Sequence, residues 1–214
     1  MPTVGLIHST RLIIDAVHQA VSQAGPDLEI INALDEGLLK CLQKKESHRI
    51  AKRLTAMAEK LEEDGADLLI LTCSSLSPYV NEIRKNLKTP LIKIDEPMIE
   101  WAVRNHQKIG VVMTNPTTCE PTTGLLQEVA GRLDKEVKVE YNLCEQAFSR
   151  LNHGDVQGHD AMVIEAVETL LRDVEVVLLA QISIARVIEQ VDPKVRERVF
   201  SSLNFISTPL ARLQ

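Results

Sequence analysis

The sequence predicts an α/β fold of two pseudo-symmetric lobes, each a mainly parallel sheet flanked by helices. Three observations predict it. Short apolar runs alternate with longer stretches of helical period, the pattern of βαβ units. That pattern occurs twice: Val-Gly-Leu-Ile at 4–7 matches Ile-Gly-Val-Val at 109–112, and Asp-Leu-Leu-Ile-Leu-Thr-Cys at 67–73 matches Glu-Val-Val-Leu-Leu-Ala-Gln at 175–181. A looser third match aligns 92–97 with 204–209, resting on Ile94 against Ile206 and on a shared proline. The repeat places the first lobe at residues 1–97 with a C-terminal segment at 207–214, and the second lobe at 98–206.

In chain order, the first strand is expected at 3–8, an apolar run from Thr3 to His8. A helix follows at 12–24 and a strand at 28–33. The long periodic run at 46–63 begins after Glu46 or Ser47 and is closed by Gly65, a helix-stop signal. Strands at 67–72 and 90–94 each lead into a helix, at 77–86 and 97–105. The second lobe repeats the order. A strand at 108–113 precedes a helix at 121–133, where Pro121 sits at the start and its missing N–H is no loss. Then come a strand at 136–141, a helix at 155–171, a strand at 174–180, a helix at 184–190 and a last strand at 204–207.

Composition narrows the function classes. Aromatic residues are 3% of the chain, so the core is aliphatic, and the shortage argues against base-stacking platforms for single-stranded nucleic acid. A net charge of −6 argues against a nucleic-acid partner held by its phosphates. No apolar stretch reaches membrane-spanning length, so no membrane partner is expected. The N-terminus enters a strand directly, without a basic leader or cleavage signal, and a cytoplasmic location is expected. Cys41, Cys73, Cys119 and Cys144 lack metal-type spacing and should be thiols in a reducing compartment. His153, His159 and Asp160 read as a polar turn entering a helix rather than as metal ligands. There is no Walker-type loop and no dinucleotide fingerprint. No cofactor and no metal are expected; a homo-oligomer is left open.

Ligands of open parallel sheets bind beyond the carboxyl ends of the strands. Two facing lobes would place those ends around an interlobe active-site cleft. Cys73 lies at such an end, followed by Ser74, Ser75 and the start of a helix. A helix start lowers a thiol pKa, so Cys73 is placed to act as base, nucleophile or acid. Gln181 holds the matching position in the second lobe; it can hydrogen-bond a ligand but has no proton to exchange near neutral pH. Ile182 and Ser183 follow it. Ser9, Ser74, Ser75, Thr114, Thr117, Thr118 and Ser183 offer hydroxyl and backbone N–H donors for a carboxylate. His8 ends the first strand and titrates near neutrality, so it is the candidate second proton carrier. Cys119 follows the Thr114–Thr118 loop and is a lesser candidate. Asp35 and Glu36 could hold an ammonium group or simply begin a helix, and Asp95-Glu-Pro97 reads as a helix start.

These segments resemble the aspartate/glutamate racemase superfamily, which also includes hydantoin racemase, maleate isomerase and arylmalonate decarboxylase. The resemblance covers essentially the whole chain. Leu71-Thr-Cys-Ser-Ser75 is similar to the first catalytic cysteine segment, where many members have Asn-Thr after the cysteine. Thr114-Asn-Pro-Thr117 is similar to a Thr-x-x-Thr loop, and Leu179-Ala-Gln-Ile-Ser183 to the second cysteine segment with its cysteine replaced.

The resemblance implies a cofactor-independent isomerase acting at the α-carbon of a small carboxylate or amino acid. Racemisation needs a proton carrier on each face of that carbon, and Gln181 is not one. A decarboxylase needs one acid only, so a one-thiol lyase is the second expectation. A non-catalytic carboxylate-binding protein is the third.

Overall fold

The computed structural model describes residues 1–213. The chain divides into two units, residues 1–94 with the segment from Phe205 onward, and residues 95–204. In the first, β1 (Thr3–His8), β2 (Glu29–Leu34), β3 (Leu68–Leu71) and β4 (Leu91–Lys93) form a parallel sheet in the order β2-β1-β3-β4. In the second, β5 (Lys108–Met113), β6 (Lys138–Leu143), β7 (Val176–Leu179) and β8 (Val199–Ser201) repeat it as β6-β5-β7-β8. The registers repeat too. Ile7 pairs with Leu71 and, at the matching place, Val112 with Leu179.

The helices of the first unit are α1 (Ile14–Ala24), α2 (Gly37–Gln43), α3 (Ser47–Glu63) and the short α4 (Val80–Ile83). The second carries α5 (Glu96–Asn105), α6 (Cys119–Arg132), α7 (Glu145–Asn152) and α8 (Val156–Leu170). The chain ends on α9 (Ser207–Leu210), back in the first unit.

Burial explains the strand sequences. β3 and β7, Leu-Leu-Ile-Leu and Val-Val-Leu-Leu, are buried at every residue, as covered parallel strands must be. The edge strands β2 and β6 keep exposed positions. Against the first sheet, α3 buries Ile50, Leu54, Ala58 and Leu61, one face at helical spacing. Against the second, α8 buries Val163, Ala166, Val167 and Leu170. Each fully buried aliphatic side chain contributes about 1.5–3 kcal/mol.

Glycine stands at the same place in both central strands. A Cβ on Gly5 would lie 2.6 Å from Leu69 Cδ2 and 3.1 Å from Leu61 Cδ1. One on Gly110 would lie 3.0 Å from Val174 Cγ2 and 3.3 Å from Leu170 Cδ1. The missing side chains let α3 and α8 lie close on their sheets.

The structure departs from the sequence expectation at several elements. The last strand is Val199–Ser201 rather than 204–207. Residues Ser202–Phe205 instead form a 3-10 turn, and Asn204 Oδ1 accepts the Ser201 N–H at 2.8 Å, which ends the strand. Val177 pairs with Val199 as Leu69 pairs with Leu91, so the third repeat match was misaligned. The helix expected at 77–86 is a 3-10 helix, Ser74–Tyr79, followed by the single turn α4 and a further 3-10 turn, Arg84–Asn86. The one at 184–190 is a 3-10 helix over Ile182–Gln190. The helix start open at Asp35 and Glu36 becomes the short α2, whereas α7 and α9 have no counterpart among the expected helices. No helix among the described residues is long and apolar enough to cross a membrane.

Candidate active site

In both sheets the chain leaves the first strand for one edge and returns to the other side of it. The carboxyl ends of β1 and β3, and of β5 and β7, therefore flank topological switch points, where open α/β sheets bind ligands. These ends carry His8, Ser9, Thr72 and Cys73 in the first unit. In the second they carry Thr114 and Gln181.

Cys73 is extended (φ −121°, ψ 107°) and precedes the 3-10 helix Ser74–Tyr79. Gln181 is likewise extended (φ −142°, ψ 136°) before the 3-10 helix Ile182–Gln190. The two are structural equivalents, each two residues past the paired ends of β3 and β7. Cys73 is partly exposed and in no disulfide. Cys41 and Cys144 are buried.

His8 is fully buried, with both ring nitrogens engaged. Nε2 lies 2.9 Å from Asn32 Oδ1, and Nδ1 lies 2.9 Å from the hydroxyl of Thr72, the residue before Cys73. With Asn32 oxygen as acceptor, the ring proton sits on Nε2. Burial holds the imidazole below its ordinary pKa; the Asn32 hydrogen bond opposes this and the charge on His18 adds to it. The ring is therefore neutral and braces the end of β3. Ser9 beside it is 1% exposed, and its hydroxyl has no hydrogen-bond partner among the described residues. Ser75 is buried and Ser74 half-buried.

In the second unit, Gln181 turns its side chain back to the end of β5. Its Oε1 accepts the Thr114 N–H at 2.7 Å, the Asn115 N–H at 3.1 Å and the Thr114 hydroxyl at 3.2 Å. Asn115 Oδ1 accepts the Thr117 N–H at 3.1 Å and its hydroxyl at 3.0 Å, which shapes the loop into α6. Thr118 is buried, as is Ile182. The Ser183 carbonyl accepts Arg186 NH1 at 2.6 Å. Burial, with the Glu145 charge, pushes the Cys119 thiol pKa up.

Two sequence expectations change. Asp35 is not open to an ammonium: it accepts the Gly37 N–H at 2.9 Å, Arg53 Nε at 2.6 Å and Arg53 NH2 more closely still. His159 and Asp160 are not in a polar turn but buried in α8, where Asp160 meets His159 Nδ1 at 2.6 Å and Arg186 NH2 at 2.7 Å. Among the described residues no three His, Cys, Asp or Glu side chains converge as metal ligands would. Sequence reasoning passed over Asn32, and placed Thr72 at a strand end without giving it a role. A polar Asn inside the apolar run Ile-Ile-Asn-Ala was the available signal for the first. Thr72 differs because only its spatial neighbour His8 reveals its part.

The model of the Asp/Glu/Hydantoin racemases matches residues 5–206. The chain belongs to the Asp/Glu/Hydantoin racemase family. The glutamate racemase of Aquifex aeolicus (strain VF5) is 27% identical over 125 residues, 56% of this chain and 47% of that enzyme. The match thus spans about half the relative's length. The aspartate racemase of Picrophilus torridus superposes with a TM-score of 0.76 at 10% identity, covering 100% of this chain and 94% of that one. The allantoin racemase of Klebsiella pneumoniae does so with a TM-score of 0.72 at 15% identity, covering 100% and 87%. At such identities the racemase structures speak for the fold alone.

Proposed function

We propose that the protein is a cofactor-independent isomerase-type enzyme acting at the α-carbon of a small carboxylate, with Cys73 as its one reactive thiol. The observation that carries this reading is the equivalence of Cys73 and Gln181 at the two switch points. Removing an α-proton loads charge onto the substrate carboxylate, so donors must meet it. The orphan Ser9 hydroxyl, with Ser74 and Ser75, supports that role beside Cys73. Thr117, Thr118 and Ser183 are assigned to the carboxylate on the same grounds as before. His8 is assigned as a positioning residue, through Thr72, and becomes a proton carrier only by giving up one of its hydrogen bonds.

The proton leaves the α-carbon for the Cys73 thiolate and returns from the thiol. A second carrier would be needed for efficient racemisation. Gln181 is none, which favours a second reading, a one-thiol lyase in which loss of carbon dioxide creates the carbanion and Cys73 protonates it. Incubation of aspartate, glutamate and phenylmalonate in heavy water separates these. Deuterium at the α-carbon of an amino acid supports the isomerase, and monoacid from the malonate supports the lyase. Cys73→Ser should abolish either one while leaving ligand binding intact. Turnover that survives Cys73→Ser would remove Cys73 from the chemistry.

A further inference from the structure

Gln181 is fixed in one amide orientation by its surroundings. The Thr114 and Asn115 groups facing it at 2.7 and 3.1 Å are backbone N–H donors, so the atom they meet must be the amide oxygen. The amide nitrogen is then turned away from the loop. No acceptor among the described residues takes its hydrogens, and the residue is only half-buried. The glutamine oxygen also uses up the Thr114 hydroxyl, at 3.2 Å. In the first unit the residue after β1 is Ser9, the counterpart of Thr114, and its buried hydroxyl keeps no partner. The residue equivalent to Gln181 is Cys73, which is shorter and carries no oxygen. The two switch points thus offer different chemistry: an unpartnered Ser9 hydroxyl and a thiol at one, a braced amide donor at the other.

We propose that Gln181 is a specificity-determining residue that donates from Nε2 to an acceptor oxygen of the ligand, a carboxylate or carbonyl. An ammonium group is excluded there, because it would meet N–H donors and no acceptor. The Thr114 N–H and hydroxyl then brace Gln181 rather than hold substrate. The ligand class is a small acid bearing a second oxygen acceptor that meets this donor, as a diacid does. This rests on the reading that the strand ends hold a small carboxylate.

The test uses the whole protein with side-chain amide ¹⁵N-labelled glutamine, titrated with malonate, succinate and glycine; Gln181→Glu assigns the signal. The glutamate variant keeps an oxygen on the Thr114 and Asn115 N–H groups and replaces the donor by an acceptor. We expect malonate or succinate to move the Gln181 amide signal and glycine to leave it. Affinity for the diacid should fall about 10- to 100-fold in Gln181→Glu and in Gln181→Ala, the range of one hydrogen bond to a charged group. Unchanged affinity in Gln181→Glu would overturn the inference. Tighter binding by Gln181→Ala would also overturn it, because Gln181 would then be a plug over the Thr114 and Asn115 donors. Protection of Cys73 from iodoacetamide tells the two levels apart. A diacid that protects Cys73 but ignores Gln181 defeats this inference alone. If neither diacid nor aspartate binds or protects, the carboxylate reading fails with it.

Discussion

The Oε1 of Gln181 accepts the backbone N–H of Thr114 at 2.7 Å, tying the end of β7 to the end of β5. The equivalent residue of the first unit is Cys73, a thiol. One position of a duplicated fold thus carries a group that exchanges protons, and its copy carries one that cannot.

Restoring the thiol should restore the missing proton carrier. Gln181→Cys is expected to create or raise racemisation of a bound amino acid, read by chiral chromatography after incubation in heavy water. The unaltered protein should give exchange with retention, or none. Fast racemisation by the unaltered protein would defeat this expectation, and substitutions of His8 and then Cys119 would locate the second carrier.

Thiol reactivity should rank by exposure and charge. Near neutral pH, Cys73 should react with iodoacetamide first, since it is partly exposed at a helix start. Burial raises the pKa of Cys144 and of Cys119, so both have less thiolate and should lag. Glu145→Gln removes a negative charge that also raises the Cys119 pKa, and should speed labelling of Cys119 only. Peptide mapping after a timed quench reads all four sites. Equal labelling of Cys73 and buried Cys41 would count against an activated thiol.

A side chain on the glycine in β1 should force its packed neighbours to shift. Gly5→Ala places a Cβ 2.6 Å from Leu69 Cδ2, inside normal contact, and should destabilise the fold by about 1–3 kcal/mol in a urea titration. Gly110→Ala meets its neighbours at 3.0 Å and beyond, and should cost less. The reverse order would mean that β5 is the more tightly covered strand.

Asp160 should give a stability term that acid removes. Burial pushes its carboxyl pKa up, but hydrogen bonds from Arg186, His159 and Gln190 outweigh this and hold the value below the ordinary one. The folded state therefore favours the ionised form. Its contribution is complete above the unfolded pKa of about 3.9 and is lost as pH falls through the folded value. Asp160→Asn should lower stability near neutral pH by about 1–3 kcal/mol, and the gap to the unaltered protein should close in strong acid. A gap independent of pH would show that the carboxylate charge is not what Arg186 requires.

Much of the fold was legible because its signals are local. The strands at 3–8 and 108–113 match β1 and β5 at both ends, since a buried parallel strand is written as one apolar run. The last strand was not legible. Val199–Ser201 is three residues long and follows a charged stretch, and what defines it is pairing with Val177–Leu179. The 3-10 form of the segments after Cys73 and Gln181 was equally hidden, because their apolar spacing suits either helix type over so few residues.

The sequence by itself determined that the chain is duplicated, that Cys73 and Gln181 hold matching places in the two copies, and that those places lie at strand ends. Each follows from the order of residues along the chain. Only the tertiary structure decided which groups are already engaged. It turned the Gln181 oxygen onto Thr114, 67 residues away, closed Asp35 onto Arg53 and set His8 between Thr72 and Asn32. The physical reason is that a polar group's availability depends on what folding brings within about 3 Å of it. Residues far apart in the chain meet only in the folded sheet.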